Sequence, residues 1–329
     1  LAITLSRAVA YYPYRPQYQT ERRVLVAEDT VDTFHGWDRS EPNWIETFWF
    51  GAWIPEIATT VYIYQWFRPV IGIYGGGCFV WNAEAYLPWD IPVFRYDVNR
   101  PLTASADLRD LSLDNGTTLK SVVEGQVYEV GFKRGDVDIE MRFEANSPPD
   151  ILGARGMAEF FNGHIDQSGR YTGSLKLGGE EHPIDCFGIR DRSWGPRLIT
   201  DDIRLNYCHG QSADFAFVSY SRPDGDGETV FRGHLVMDGK RTALAGGRRV
   251  SHFKNAVLQC IDIELTDADG RRVAGRGVPL NRMVYESYPG LLNWLYLVEW
   301  RIGATVVYGE EQDVWSLPLW HGRPRNRRG

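Results

Sequence analysis

The sequence predicts an all-β fold of two antiparallel β-barrel or sandwich domains with few short helices. Three observations carry this. Apolar residues recur with a period of two almost everywhere, and helical spacing is not sustained over a dozen positions. Gly-centred turns such as Arg134-Gly135, Gly178-Gly179, Asp224-Gly225 and Asp238-Gly239 separate the alternating runs at intervals of about a dozen residues, the rhythm of sandwiches and up-and-down barrels. The chain of 329 residues also exceeds what one small core supports.

In chain order, Trp44 to Phe50 reads as a first strand, with Trp44, Glu46, Phe48 and Phe50 on one face. Val61 to Phe67 follows. The string Gly72-Ile-Tyr-Gly75-Gly76-Gly77 lacks phosphate-loop spacing, and is expected to mark a bulge or a close backbone approach. Asn115-Gly116 is expected to form a type I′ hairpin turn. Gln126 to Phe132 precedes Val137 to Glu144, where Val137, Ile139, Met141 and Phe143 alternate with four charged residues as in a half-buried strand. Further strands are expected at Tyr171 to Leu177, Asp214 to Tyr220, Glu228 to Met237 and Val257 to Leu265, with Phe143, Phe217 and Phe231 turned inward. The last, Trp294 to Ile302, is apolar on both faces and should lie under other structure, with Glu299 and Arg301 emerging.

An internal echo suggests two related halves. Phe187-Gly188, Asp191 and Trp194 are matched by Tyr308-Gly309, Asp313 and Trp315, each after an extended pair. Pro196 to Asp202 reads as the linker, which gives domains 1–197 and 198–329.

Composition narrows the function. A net charge of −7 argues against nucleic acid and anionic membranes as partners. The basic tail Arg323 to Arg328 is expected to fray. No apolar run approaches the length that spans a bilayer, and Leu1 to Pro16 has no export-signal pattern, so the expected location is cytoplasmic. Cys78, Cys186, Cys208 and Cys260 are scattered and read as free thiols. No H-x-H or H-E-x-x-H pair signals a metal, no G-x-S-x-G elbow signals a hydrolase, and no cofactor is expected. Self-association is left open.

With 15 Phe, 12 Trp and 17 Tyr, the chain is rich enough in rings for either a ring-lined cavity or a large β core. The densest cluster of functional side chains is Arg190-Asp191-Arg192-Ser193-Trp194-Gly195-Pro196-Arg197, which suits a polar cavity wall and a structural corner equally. In an extended strand, Asp191 and Ser193 face one way and Arg190, Arg192 and Trp194 the other. An Asp facing an apolar interior is a general acid near neutral pH, whereas one paired with Arg stays ionised and inert. Glu46 sits in the ring-rich row of the first strand, where pairing with an Arg is the plainer reading. His164, His209 and Tyr207 are candidate partners of the acid, and Trp49 and Trp300 are candidate ring walls.

The strings Asn43 to Phe50, His164 to Gly169 and above all Gly188-Ile-Arg-Asp191-Arg192-Ser193-Trp194-Gly195 resemble the carotenoid 1,2-hydratase-like and AttH-like proteins, which are built from two lipocalin-like β domains. The resemblance implies cofactor-free chemistry on hydrophobic molecules, with Asp191 as proton donor and Trp194 as cation-stabilising ring. More distant relatives guide intramolecular cycloadditions. The leading expectation is thus a hydratase, dehydratase or isomerase acting on a hydrophobic small molecule such as a terpenoid. Asp191, His164 and Glu46 would serve catalysis, and Trp194, Trp44, Trp49, Tyr207, His209 and Trp300 would bind substrate. The alternatives are a lipocalin-like carrier and a pericyclase.

Overall fold

A computed structural model describes residues 32–35, 41–103, 105–153, 163–197, 199–255 and 257–322. The basic tail and the segment Leu1 to Pro16 lie outside these residues. The fold is nearly all β. The first sheet comprises β1 (Trp44–Ile54), β2 (Thr59–Arg68), β3 (Ile73–Trp81), β4 (Val93–Pro101), β5 (Asp110–Ser112), β6 (Thr117–Val123), β7 (Val127–Arg134), β8 (Val137–Ala145), β9 (Asp150–Gly153), β10 (Gly163–Leu177) and β11 (Glu180–Pro196). Their order is β4-β3-β2-β1-β11-β10-β8-β7-β6-β5, with β9 also on β10.

The second sheet holds β12 (Arg204–Gln211), β13 (Phe215–Asp224), β14 (Gly227–Met237), β15 (Lys240–Lys254), β16 (Val257–Asp267), β17 (Arg272–Pro279), β18 (Met283–Tyr288), β19 (Leu291–Ile302) and β20 (Thr305–Ser316), followed by α1 (Leu317–Gly322). Pairing of β17 with β19 closes eight of these strands into a barrel, with β18 alongside. In each sheet the strand carrying the repeated aromatic-Gly pattern, β11 or β20, pairs with the first strand, β1 or β12. No helix among the described residues is long and apolar enough to cross a membrane.

Strand alternation builds three apolar layers. Phe48 and Phe50 of β1 join Tyr128, Phe143 and Tyr171 inside the first sheet. Phe217, Ile261, Val298 and Trp300 fill the barrel. Between the sheets lies a seam of Trp49, Tyr62, Phe79, Trp81, Tyr207 and Tyr285. Because β1 contributes to a core on each face, all eleven of its residues are buried. Each large apolar side chain taken wholly out of water adds roughly 1.5–3 kcal/mol to the drive for folding. As expected, β19 is buried on both faces from Leu295 to Val298, and Glu299 and Arg301 emerge beyond, pairing with each other at 2.9 Å. The barrel interior also carries charge: Arg249, 1% exposed, bridges Glu228 and Glu311.

Two local expectations are corrected. Phe231 is 36% exposed rather than inward. Ser221 pairs with Val230 and Tyr220 with Arg232, so Phe231 is the extra residue of a β-bulge and the alternation breaks there. Asn115 does not take the positive φ that a type I′ turn requires; among the turn residues only Gly116 does, at 97°. The Leu113 carbonyl accepts from Gly116 N, and Leu113 N donates to Thr117 O, giving a three-residue loop closed by glycine. The Gly75 to Gly77 string behaves as expected. A bulge falls between Tyr74 and Gly76, and a side chain on Gly77 would stand 1.8 Å from the Arg95 carbonyl oxygen.

Candidate active site

The site is set by the pairing of β10 with β11. Their register puts Asp166 directly opposite Asp191 and His164 opposite Ser193. Alternation then sends these four side chains to the seam, and Arg190, Arg192 and Trp194 to the opposite face. Both readings of the Arg190 to Arg197 cluster therefore hold, one on each side of the strand.

On the inner face of the first sheet lies the structural corner. Glu46, wholly buried, accepts hydrogen bonds from Arg192 Nη2 at 2.7 Å, His35 N at 3.0 Å and Trp44 Nε1 at 3.3 Å. Trp194 stacks on His35 at 3.6 Å. Arg190 donates to Gln167 at 2.6 Å and lies over the Tyr128 ring. Glu46, Trp44 and Trp194, expected near Asp191, are separated from it by the sheet itself: Trp194 is three residues from Asp191 on β11 and so takes the other face, and Glu46, opposite Trp194, shares that face with Trp44 two residues away. Trp300 is also elsewhere, packed edge-on against Phe217 inside the barrel.

On the seam face a cavity of about 100 Å³ opens between the two sheets. Six tyrosines line it, Tyr62, Tyr64, Tyr207, Tyr220, Tyr285 and Tyr288, together with Trp49. Asp191, His164 and Arg197 are its ionisable groups apart from those phenols. Asp191 keeps 17% of its side chain exposed, toward this space.

Asp166 lies just beneath. Tyr207 donates to its Oδ1 and Tyr220 to its Oδ2, both at 2.8 Å, and His164 Nε2 stands 3.0 Å from Oδ1. Burial pushes this carboxyl up, but the His164 charge and the three hydrogen bonds outweigh it and hold it near 2. Asp191 has no such cradle. Burial raises it to about 6, with the Asp166 charge adding, against the pull of His164, Arg197 and Arg190. His164 Nε2 is 3.6 Å from Asp191 Oδ2 and 2.8 Å from the Tyr220 hydroxyl. Burial pulls the imidazole down, yet the two carboxyls raise it above its ordinary value, so it favours the imidazolium form. Arg197 donates to Ser193 Oγ at 2.6 Å and to the Tyr288 hydroxyl at 2.8 Å, and Tyr288 in turn bonds Tyr64.

His164, Asp166 and Asp191 each place a donor atom within 4.8 Å of the others, close enough to share a cation. The donor atoms of two of them are already engaged: both Asp166 oxygens accept from phenols, and His164 Nε2 faces Asp166 and Tyr220. The residues therefore fit a hydrogen-bonded acid–base cluster better than a metal centre.

Of the expected site residues, Asp191, His164, Tyr207 and Trp49 come together at the cavity. His209 lies behind Trp49 and Tyr207, with ring centres 5.8 and 5.6 Å away, and burial lowers its imidazole to about 4. Asp166 and Tyr220 were not among the candidates. Asp166 was within reach of the sequence, since it follows His164 by two on a strand and so shares its face. Tyr220 comes from the other sheet, and no spacing rule connects it to His164.

No curated protein matches the sequence. Among solved structures, the kievitone hydratase from Nectria haematococca superposes with a TM-score of 0.54 at 13% identity, over 88% of this chain and 95% of that one. A putative AttH (NE1406) from Nitrosomonas europaea gives 0.51 at 12%, over 85% and 94%, and CghA gives 0.55 at 13%, over 84% and 89%. At such identity the likeness is one of fold, and it is the AttH-like and carotenoid hydratase-like fold to which the Gly188 to Gly195 motif pointed. The model of the family described as a domain of unknown function (DUF7064) matches residues 28–294, and the chain belongs to that family.

Proposed function

We propose that the protein is a cofactor-independent hydro-lyase or isomerase that acts on a hydrophobic small molecule, such as a terpenoid, in the cavity between two lipocalin-like domains divided at residues 197 and 198. The observation that carries this reading is a cavity-facing Asp191 whose carboxyl is raised to about 6, set opposite an Asp166 held ionised near 2. Two carboxyls driven apart in this way supply an acid and a fixed negative charge within one site. A carrier needs ring area alone, and gains nothing from a buried acid at its ligand.

In the dehydration direction, Asp191 gives its proton to a substrate hydroxyl. The C–O bond breaks with its electron pair going to oxygen, and water leaves. The resulting carbocation faces the rings of Trp49 and Tyr62, whose negative faces stabilise it. The Asp191 carboxylate then takes a proton from the adjacent carbon, which forms the alkene and restores the acid. Hydration is the reverse sequence. His164, whose imidazole the two carboxyls raise toward its charged form, stands 3.6 Å from Asp191 and steadies its carboxylate while it is charged. Incubation of terpenoid alkenes and tertiary alcohols in heavy-oxygen water tests the reading by label in the recovered alcohol. A pericyclase, for which proton transfer is secondary, would turn over a polyene with no exchange of oxygen or hydrogen with solvent.

A further inference from the structure

Glu310 on β20 is 1% exposed, and neither of its carboxyl oxygens has a well-formed hydrogen bond. It lies on the same strand face as Gln312 and Val314, which line the cavity. It lies close enough to two cavity tyrosines, Tyr62 and Tyr285, and to Asp191 to couple electrostatically with them. The β12–β20 register, Cys208 opposite Glu311 and Gln211 opposite Tyr308, sets His209 across from Glu310. Among the described residues, His209 Nε2 is likewise unpartnered, as is Nε1 of Trp49, whose ring lies 5.8 Å from that of His209. Buried polar atoms left unpaired are costly, and native proteins keep few without a use for them.

We propose that Glu310, with His209 and the Trp49 indole, forms a second polar station just behind the cavity wall made by Trp49, Tyr207 and Gln312, which recognises a hydroxyl or carbonyl oxygen of a ligand that extends past that wall, remote from Asp191. The station lies two residues beyond Gln312, roughly 7 Å along the strand. Burial raises the Glu310 carboxyl well above its usual range, only partly offset by the Gln312 amide, which favours the neutral form, able both to donate and to accept. The ligand class that follows is a hydrophobic skeleton with two oxygen functions, rather than a hydrocarbon. The inference rests on the cavity being the ligand site, and not on the proton step at Asp191.

Tryptophan-fluorescence titration with matched terpenoid alcohols and diols, linalool and 8-hydroxylinalool among them, tests it. Wild-type protein should bind the diol at least tenfold more tightly in at least one pair. That preference should survive Glu310→Gln and vanish in Glu310→Leu, with Glu310→Met as a second variant lacking the polar group. No preference for any diol, or one that persists in the Leu and Met variants, overturns the proposal. Lost preference beside intact Asp191-dependent turnover removes this station only. A diol preference without turnover leaves the station standing and removes the acid–base reading.

Discussion

Asp166 and Asp191 face each other directly across the β10–β11 pair, and only one of them is given the hydrogen bonds an anion needs. Like charges opposite one another in a sheet repel. Here the repulsion helps keep Asp191 protonated, because Asp166 has two phenol donors and His164 and stays charged.

The pH dependence follows from Asp191. Dehydration requires its protonated form, so kcat/KM in that direction should be flat below about pH 6 and fall tenfold per unit above it. A profile that rises through pH 6 to 7 would assign Asp191 to the base role instead.

Stability should carry the same signature. The folded-state value of Asp191 lies above its unfolded one, so the folded protein holds more protons between about pH 4 and 6 and loses stability as pH rises through that window. Asp191→Asn removes the buried charge and should therefore be more stable than wild type at pH 8, by about 1–3 kcal/mol, as read from urea unfolding.

Asp166 has the opposite sign. Its folded-state value is depressed to about 2, so its stabilisation is present above the unfolded value near 4 and is lost as pH falls toward 2. Asp166→Asn leaves His164 and two phenols facing a weaker acceptor, and should cost about 3 kcal/mol or more at pH 7.

Glu46 and Arg192 separate structure from chemistry. Glu46→Gln breaks a fully buried ion pair and should destabilise the protein by about 3–5 kcal/mol. Turnover per folded molecule should stay within a few-fold of wild type, because the pair lies on the far face of β11. A large loss in kcat at unchanged folded fraction would place Glu46 in the mechanism after all.

Trp49 is held in place by the absence of a side chain at Gly51, where a Cβ would stand 2.4 Å from the indole. Gly51→Ala should displace the ring from the cavity wall and weaken ligand binding about tenfold, roughly 1.4 kcal/mol, seen as altered tryptophan emission and a raised Kd.

Alternation made the architecture and the two faces of β11 legible in the sequence. The split between Asp191 with Ser193 and Arg190 with Arg192 needed only the period of a strand. The bulge at Phe231 was not legible, since an unpaired residue leaves no mark on composition. Nor was the placing of Glu46 and Trp44 on the face away from Asp191, because the register of β1 against β11, with Glu46 opposite Trp194, leaves no local pattern. Tyr220, Tyr285 and Tyr288 reach the cavity from the second sheet, and that encounter depends on how two sheets dock rather than on any local pattern.

The most direct test compares wild-type protein and Asp191→Asn on terpenoid alkenes and tertiary alcohols in heavy-oxygen water, with ligand binding measured in parallel. The wild type should incorporate label and the variant none above background, with dissociation constants within a few-fold of each other. Undiminished label incorporation by a correctly folded Asp191→Asn would contradict the proton role of Asp191.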